Sequence, residues 1–570
     1  MKPLPHALAA TPSLDRWIRL TGDGDVIAFT GKVEIGQGIL TALGTIVAEE
    51  LDVARRRVQV VSAHTGHTPN EGVTAGSMSI ETSGAAIRQA SAWARRLLLE
   101  RAAVRLALAA DNLTVADGEI RGEGVNEPLT YWDLADQPFR FEICDRTPEK
   151  APSTYRLVGR VGQRRTDILA KATGPAFVHD SDAELHARVV RPPSLRHRLT
   201  QLDLDVAAPG RLVVDGSFVA VAHPIEFEAV RLARRVAGHA RWHRIGPAPR
   251  GFDIDEPRRE TAAAFPLRYG VPNPIPRRRM DVRHRAAYSR PFLMHASIAP
   301  SAAVAVWRKS VLVIECSSQG IEPLRHVIAR ALGIDADAIE IRHVPGAGCY
   351  GHNGADDAAL DAALIARAVP GHRVLLKWSR EDEHGFEPFG PAMHIEMGAS
   401  LDARGGIAAW THDVYGFTHV ARPSPRAPGV DLLAARFLAE PFESTPARPS
   451  LGPEVGIHRN ALPIYSFPDH EVTKHFIPDA PVRTSALRGL GAQGNVFAIE
   501  SFMDELAHAA GKDPADFRRR HLQHDPRAMA VLEAVLDLCG GLAGNRGLGL
   551  ARYKNRQCCA AVVAEVSVDS

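Results

Sequence analysis

The chain has 570 residues, 45% hydrophobic and 24% charged, which excludes a small binding module and a disordered protein and provides apolar side chains for several cores. Lys and Arg number 68 against 66 Asp and Glu, and without a long basic or acidic run this balance predicts no nucleic-acid partner. No stretch reaches the ~18 apolar residues of a membrane helix, and the first residues lack the pattern of a signal peptide. We therefore expect a cytoplasmic protein with no membrane span.

Strand and helix patterns follow each other in the N-terminal region. Residues 17–29 predict two short strands around a Gly-Asp-Gly turn. A helix follows in TALGTIVAEELDV, where apolar residues recur at helical spacing and Thr41 is placed to cap the start. The strand VQVVSA and a long helix over about residues 85–109 come next. Each of these helices is preceded by a loop of glycines and small polar residues.

The rest of the chain divides at a Pro-rich, charged linker near residues 146–153 and at a turn-rich connector near 246–265. The clearest α/β alternation comes after the connector, in the segments IEPLRHVIARALGI, IEIRHV, PGAGCYGHNG, ADDAALDAALIARAV and RVLLKW. We therefore predict a multidomain α/β (α+β) protein, divided into residues 10–150, 153–245, 275–525 and 526–570.

Three glycine-bearing loops carry the strongest chemical signal: residues 36–38, 346–351 and 488–491. The first two open onto predicted helices, where free backbone N–H groups and the helix dipole favour an anion such as phosphate. For any one loop alone, a tight strand-to-helix turn is an equally good explanation. None has the order of a Walker loop or of a dinucleotide-binding fingerprint, so ATP and NAD are disfavoured.

The motifs gain specificity from their order along almost the whole chain: GKVEIGQGILTAL, TAGSMSIETSGAAIRQA, RTDILAKATGPAFVHD, LMHASIAPSAAVAVW, SSQGIEPLRHVIARALGI, PGAGCYGHNGADDAAL, LKWSREDEHGFEPFGPAM and ALRGLGAQGNVFAIESF. In this order they resemble the large, molybdenum-binding subunit of the xanthine dehydrogenase and aldehyde oxidase family, nearest to the bacterial nicotinate dehydrogenase and isoquinoline oxidoreductase type. The resemblance implies a small hammerhead-like α/β domain at 153–245. It also implies a first molybdopterin-binding domain at 275–525, and a second that is divided between 10–150 and a truncated part starting at 526.

The resemblance also implies a cofactor, a molybdenum–molybdopterin in its cytosine dinucleotide form, whose metal is held by the pterin and not by side chains. Gln319 matches the glutamine that hydrogen-bonds a metal ligand in the family. Arg488 matches an arginine beside substrate and metal, where a permanent cation can stabilise developing negative charge. The residues that match the cofactor cradle are Gly36, Gln37, Gly38, Gly76, Ser77, Ser79, Gly346, Gly348 and Gly351.

Two departures from the purine enzymes of the family bear on the substrate. Leu490 stands where they have phenylalanine, and residues 350–354 lack their lysine and glutamate. We therefore expect hydroxylation of an N-heteroaromatic compound of the nicotinate or isoquinoline type, or oxidation of an aldehyde, with water as the oxygen source. The alternative is a cofactor-free, catalytically inactive relative or a gene fragment.

The six cysteines are scattered and lack the spacing of an iron–sulfur cluster or a haem site. Since electrons must leave the metal, the resemblance implies a small iron–sulfur partner subunit. A cytochrome can follow as the next acceptor and can associate the protein with a membrane.

By resemblance, the general base is a glutamate in a Gly-x-Gly-Glu-like segment downstream of the 488–491 loop. The Gly-Glu pairs at residues 118–119 and 122–123 lie in a polar, hairpin-like stretch, so we expect this base to be missing. The apolar alternation over residues 562–568 predicts a final strand without its sheet partners. We therefore expect the chain alone to be poorly soluble or unstable, and inactive, unless a second polypeptide supplies the missing C-terminal piece.

Overall fold

The computed structural model describes residues 3–125, 127, 129–135, 139–160, 164–247, 253–254, 261–542 and 544–569. The α-helices of these residues are α1 His6–Ala10, α2 Ile39–Leu51, α3 Ala85–Leu106, α4 Ile168–Thr173, α5 Glu226–His239, α6 Ile321–Leu332, α7 Ala355–Ala368, α8 Arg380–Phe386, α9 Ala492–Ala509, α10 Pro514–Leu522 and α11 Pro526–Cys539.

The strands are β1 Ile18–Leu20, β2 Val26–Phe29, β3 Val58–Val61, β4 Thr114–Ala116, β5 Glu119–Arg121, β6 Leu129–Thr130, β7 Leu185–Val189, β8 His197–Leu202, β9 Arg211–Asp215, β10 Phe218–His223, β11 Ala240–Arg244, β12 Ala263–Arg268, β13 Val271–Pro272, β14 His284–Arg290, β15 Ala302–Arg308, β16 Val311–Cys316, β17 Ile339–His343, β18 Val374–Lys377, β19 Met393–Leu401, β20 Ile407–Gly416, β21 Asp469–Phe476, β22 Arg546–Arg552 and β23 Cys559–Glu565. The connector predicted near 246–265 lies largely outside the described residues.

The N-terminal unit has the predicted strand–loop–helix–strand order. β1 pairs antiparallel with β2, and β2 pairs parallel with β3 across the connection made by α2. The cap prediction is wrong, because Gly38 precedes α2 with a φ of 78° while Thr41 lies inside the helix. A left-handed residue turns the chain into the helix here, a conformation that glycine adopts without strain. The Thr41 hydroxyl instead lies 3.0 Å from the Thr166 hydroxyl.

A seven-stranded sheet forms the centre of the molecule, in the order β17-β16-β15-β18-β7-β10-β9. The predicted alternation of α6, β17, α7 and β18 is confirmed. The segment predicted as 153–245 contributes three strands to this same sheet, since β7 pairs parallel with β18. The sheet therefore spans the predicted boundary between that segment and the next, while β8 and β11 form a separate ribbon.

α7 lies against the central sheet and is buried over most of its length. Its buried surface includes carboxylates as well as alanines and leucines, and each of the two deepest acids meets an arginine from a distant segment. Asp357 accepts both Nη atoms of Arg483 at 2.9 and 3.0 Å, and Asp361 pairs with Arg191. Because an uncompensated buried charge is strongly destabilising, these pairs fix the two partner segments around α7.

The second large sheet has the order β13-β12-β21-β20-β19-β14 and shares a core with α9, α10 and α11. β22 and β23 form an antiparallel hairpin whose residues Leu548 and Leu550 join that core. Residues 562–565 of the predicted final strand therefore pair with β22 on one edge, in a two-stranded sheet, while residues 566–568 lie beyond the end of β23. None of the described helices is both long and apolar enough to span a bilayer.

Candidate functional site

Gln319 lies at the point where the N-terminal unit meets the central sheet. Its side-chain Nε2 donates to the Thr74 carbonyl oxygen at 2.8 Å, and the Thr74 N–H donates to the Gln319 carbonyl oxygen at 2.8 Å. Its Oε1 accepts a hydrogen bond from Arg422 Nη2 at 2.7 Å. Gln319 is 7% exposed, so these three hydrogen bonds lie in a buried environment. The buried amide joins segments separated by 245 positions in the sequence.

Arg422 brings a cation to a group of buried titratable side chains at the same point. Burial lowers the pKa of Arg422, and the nearby charge of Asp356 opposes this shift. The Asp356 carboxylate accepts from His352 Nε2 at 3.0 Å, while His352 Nδ1 lies 2.8 Å from the Ser485 hydroxyl. Burial also raises the pKa of the Cys349 thiol, so this cysteine is a neutral, weakly nucleophilic group.

The glycine loop at 346–351 packs directly on the 484–491 loop. Gly351 and Leu487 form an isolated β-bridge, and the Arg488 N–H donates to the Tyr350 carbonyl oxygen at 2.6 Å. A Cβ on Gly351 would lie 1.9 Å from the Ala486 carbonyl oxygen, so only glycine allows this approach. The structure thus brings together two of the three predicted loops. The Arg488 side chain is exposed and has no hydrogen-bond or ionic partner among the described residues.

At Gly346 and Gly348, too, neighbouring atoms leave no room for a side chain. A Cβ on Gly346 would lie 2.7 Å from the Ser317 hydroxyl oxygen, two positions before Gln319. A Cβ on Gly348, whose φ is 133°, would lie 2.9 Å from the Tyr350 ring. The loop is therefore tight, and its backbone, not side chains, forms the local surface.

The loop with Gly76, Ser77 and Ser79 continues from Thr74 and meets a lysine from the β22–β23 connection. Lys554 Nζ donates to the Gly76 carbonyl oxygen, across 478 positions of sequence. Burial lowers the pKa of Lys554, and repulsion by Arg459 and Arg556 lowers it further, although Glu81 and Glu454 partly offset this. Among the described residues, no group hydrogen-bonds to the hydroxyl of Ser77 or of Ser79. The two serine hydroxyls and the Lys554 ammonium group therefore lie at the same loop.

The loop at Gly36, Gln37 and Gly38 is closed on itself. The buried Glu34 carboxylate accepts the N–H groups of Gly36 and Gly38 at 2.8 and 2.9 Å. The exposed Gln37 amide bonds the backbone of its own loop, at Ile35 N and Val33 O. The two glycine N–H groups are therefore engaged by an internal anion, contrary to the expectation of free donors. Arg165 also anchors the loop, through the Gly36 carbonyl oxygen at 2.6 Å.

Some residues in and beside these loops have a left-handed backbone conformation. Ser77, Ala296, Tyr350 and Leu490 have φ between 53° and 57°, a region that non-glycine residues rarely occupy. Ala296 follows His295, whose Nε2 lies 3.0 Å from the Ala486 carbonyl oxygen. Strained residues persist where the surrounding structure holds them, and they are concentrated at functional sites. The candidate site is therefore assigned to the region where these loops meet.

A buried acid pair lies behind His295. Glu387 accepts the His295 N–H at 2.8 Å, and its other oxygen is 3.3 Å from His295 Nδ1. Glu383, about one turn earlier in α8, accepts the Ser301 N–H and is 1% exposed. Burial raises the pKa of Glu383 to about 7, and the neighbouring Glu387 carboxylate adds to this rise. The pair therefore holds a proton near neutral pH.

Sequence reasoning did not find Arg422, Lys554 or this acid pair. Arg422 lies in a Pro-rich loop and Lys554 in a hairpin turn, and neither position has a pattern that indicates chemistry. The Gly-Glu pairs at 118–119 and 122–123 lie on or beside the short β4–β5 hairpin, as predicted. Gln319 and the 346–351 loop both lie near Arg422, and the backbone of Arg488 contacts that loop at Tyr350.

Comparison with known proteins identifies the two domains that meet at Gln319. Two family models, each described as a molybdopterin cofactor-binding domain, match residues 5–174 and residues 276–435 with 448–522. The chain belongs to this family. The first match contains Thr74 and the second contains Gln319, so the hydrogen bonds between these residues join the two matched domains.

The chain is 34% identical to a nicotinate dehydrogenase subunit of Pseudomonas putida, over 99% of this chain and 49% of that protein. It is 26% identical to an isoquinoline 1-oxidoreductase subunit of Brevundimonas diminuta, over 99% of this chain and 77% of that protein. The chain thus spans about half the length of the first relative. Quinoline 2-oxidoreductase of Pseudomonas putida 86 aligns with a TM-score of 0.48 and 16% identity, over 68% of this chain and 56% of that one.

Proposed function

We propose that this chain binds a molybdenum–molybdopterin cofactor in its cytosine dinucleotide form, and that it is the hydroxylating subunit of an oxidoreductase. The observation that carries the proposal is the Gln319 junction, where a buried amide holds both Thr74 and Arg422. A buried amide at the meeting point of two molybdopterin-binding domains suits recognition of a polar cofactor. In this proposal Gln319 hydrogen-bonds a ligand of the metal.

The phosphate end of the cofactor fits the loop at Gly76, Ser77 and Ser79. Two hydroxyls without partners among the described residues can donate to phosphate oxygens, and Lys554 supplies a positive charge at the same loop. The repulsion that lowers the pKa of Lys554 is relieved when an anion binds beside it. Gln37 joins this cradle through its amide, after exchanging the hydrogen bonds to its own loop for bonds to the cofactor.

The pterin end of the cofactor fits the tight loop at Gly346, Gly348 and Gly351. At Gly346 and Gly351, contacts under 3 Å with the chain's own Ser317 and Ala486 exclude a side chain, so these glycines fix the shape of the loop against which the pterin would lie. Gly36 and Gly38, whose N–H groups are held by Glu34, keep their own loop closed and position Gln37. When bound, the cofactor supplies a molybdenum centre that takes two electrons from the substrate while water supplies the oxygen.

Arg488 provides a positive charge at the proposed reacting centre. Arg488 is an exposed cation with no ionic partner among the described residues, so it is free to stabilise negative charge on a substrate. The loop carrying it is fixed by the Tyr350 carbonyl, which sets the position of the guanidinium stem. These groups suit attack at an electron-poor carbon.

The proposed substrate is an N-heteroaromatic compound of the nicotinate or isoquinoline type, or an aldehyde. Relatives named for nicotinate and isoquinoline support this class, and so does the lack of an acidic group at residues 350–354. The proposed electron acceptor is a small iron–sulfur subunit, with a cytochrome after it. We place the complex in the cytoplasm or at a membrane through its partners.

The test is substrate-dependent dye reduction by the chain purified in complex with its proposed partner subunits. Nicotinate, isoquinoline, xanthine and benzaldehyde form the panel. We expect turnover of a heteroaromatic substrate or the aldehyde, and none of xanthine. An Arg488→Met variant should lower kcat/KM by about 100-fold or more, since it removes a transition-state contact. Turnover of xanthine in preference to the others, or an unchanged rate in Arg488→Met, would contradict the proposal.

A further inference from the structure

A group of two histidines and one glutamate lies outside the candidate site, between the N-terminal unit and the edge of the central sheet. His64, His67 and Glu340 each offer one ligand atom, and these atoms all lie within 4.8 Å of one another. Among the described residues, no other group of three or more His, Cys, Asp or Glu side chains is arranged in this way. We propose that these three residues bind a zinc ion that fastens the loop at 63–68 to β17.

The two histidines are positioned by a single turn of backbone. The N–H groups of His67 and Thr68 donate to the His64 carbonyl oxygen at 3.1 and 3.0 Å, so His64 and His67 lie three residues apart on one face of the turn. Their rings stack with centroids 4.2 Å apart. An i, i+3 pair of imidazoles presents two nitrogen ligands to a common point.

The third ligand is held against this turn by backbone pairing. Thr65 N donates to the Ile341 carbonyl oxygen at 3.0 Å, and Ile341 N donates to the Thr65 hydroxyl at 2.9 Å. Glu340, the neighbour of Ile341 on β17, thereby has its Oε1 2.7 Å from His64 Nε2. The backbone of both segments is therefore fixed, and only side-chain rotations are needed to complete the site.

The ligand chemistry favours zinc over the hard divalent cations. Two imidazole nitrogens and one carboxylate oxygen form a set that zinc binds at about 2.0–2.2 Å with water in the fourth position, whereas magnesium and calcium prefer oxygen ligands. Tetrahedral ligand atoms at that distance are roughly 3.4 Å apart. The 2.7 Å distance between His64 Nε2 and Glu340 Oε1 therefore has to lengthen slightly when zinc binds, and the His67 nitrogen, within 4.8 Å of both, has to adjust to the same spacing. The exposed His67 side chain and the half-exposed Glu340 side chain have room for this change.

One nearby cation opposes the site. Arg16 Nη2 donates to the Gly66 carbonyl oxygen at 2.9 Å, in the middle of the histidine turn. Its charge lies close to the proposed zinc and is directed at a backbone oxygen. Arg342, the β-bridge partner of His64, is neutralised by Glu315 at 2.6 Å. Replacement of Arg16 by a neutral residue is therefore expected to strengthen zinc binding.

The test is titration of zinc chloride into the full chain after treatment with a chelator, with magnesium chloride as the ion control. We expect one zinc per chain at this site and a Tm that rises with zinc concentration. His67→Ala and Glu340→Gln should each weaken zinc binding by about 10-fold to 100-fold. His326→Ala, at an exposed histidine on α6, should bind zinc like the unchanged chain.

Three outcomes would overturn the proposal: no zinc uptake by the unchanged chain, equal uptake by all three variants, or an equal rise in Tm with magnesium. His67 is exposed, so its variant tests the site without removing core packing. Because the readout is zinc content and Tm, the result does not depend on molybdenum or on activity.

Discussion

Gln319 and Thr74 exchange two hydrogen bonds of 2.8 Å each, one through the Gln319 side chain and one between backbones. This pair connects the two domains that match the molybdopterin-binding family. A third hydrogen bond at Gln319 comes from Arg422 to the side-chain oxygen. The connection therefore depends on one buried residue.

We expect Gln319→Leu to destabilise the chain by about 1–3 kcal/mol, because the Arg422 donor and the Thr74 acceptor lose their partner in a buried environment. The volume of the side chain is nearly unchanged, so lost polar contacts and not a cavity account for the effect. Urea unfolding gives the measurement. Gln37→Leu is the matched control, since that exposed amide contacts only its own loop. Equal stability of both variants would show that the junction contributes nothing.

Gly351→Ala should be among the most destabilising single substitutions in the chain. The added Cβ would lie 1.9 Å from the Ala486 carbonyl oxygen, at a φ of 132°. Gly371→Ala is the control, because Gly371 has a positive φ of 86° and open space around the Cβ position. Gly371→Ala is expected to lower the free energy of unfolding by about 1 kcal/mol, because of backbone strain. Gly351→Ala is expected to lower it by at least about 2 kcal/mol more, because the added Cβ displaces the 484–491 loop. Equal effects would mean that the two loops are not in contact.

The pH dependence of stability should contain a contribution from Glu383, whose pKa burial and Glu387 raise to about 7. Between about pH 4.5 and 7 the unfolded chain releases this proton while the folded chain keeps it. Folding stability from this group therefore falls as the pH rises through that window and levels off above it. In Glu383→Gln we expect this decrease in the free energy of unfolding, roughly 1–3 kcal/mol, to be absent.

Denaturant unfolding at several pH values measures this contribution as the difference between the unchanged chain and Glu383→Gln. Buried histidines give the opposite slope, since burial lowers the pKa of His412 to about 4. Their contribution is common to both proteins and cancels in the difference. Glu123→Gln, at an exposed glutamate, serves as the control and should leave the pH profile unchanged. A flat difference curve for Glu383→Gln would refute the raised pKa.

Lys554→Met should lower the pterin content of the purified chain by about 10-fold, if the loss of one charge-assisted phosphate contact costs about 1.4 kcal/mol. The variant keeps the aliphatic stem and removes the charge beside Gly76. Lys512→Met, at an exposed lysine, is the matched control. Fluorescence of the oxidised, released pterin gives the readout without an activity assay. Equal pterin content in both variants would exclude Lys554 from the cradle.

Local structure was predictable where hydrophobic periodicity and glycine loops agree. The alternation of α6, β17, α7 and β18 and the unit of β2, α2 and β3 follow from such patterns. The cap of α2 was not predictable, because a left-handed Gly38 replaces the expected hydroxyl of Thr41. The order of the central sheet was not predictable either, since the pairing of β7 with β18 depends on long-range packing.

The candidate site was predictable only in part, for a related reason. The loop glycines and Gln319 belong to motifs whose order along the chain can be recognised in a single sequence, so these residues could be predicted. Lys554 meets Gly76 across 478 positions, and nothing in its local sequence distinguishes it from a surface lysine. Glu34 closes the Gly36–Gly38 loop from inside, and a carboxylate two positions before the glycines did not by itself indicate that role.

The central claim is that the chain holds a molybdenum cofactor at the junction of its two matched domains. The most direct measurement is molybdenum and pterin nucleotide analysis of the purified full chain, co-expressed with the proposed iron–sulfur partner in a host that makes the cofactor. We expect one molybdenum and one pterin per chain, release of cytidine monophosphate on acid hydrolysis, and loss of both metal and pterin per folded chain in Gln319→Leu. A folded chain that contains neither molybdenum nor pterin would contradict the claim.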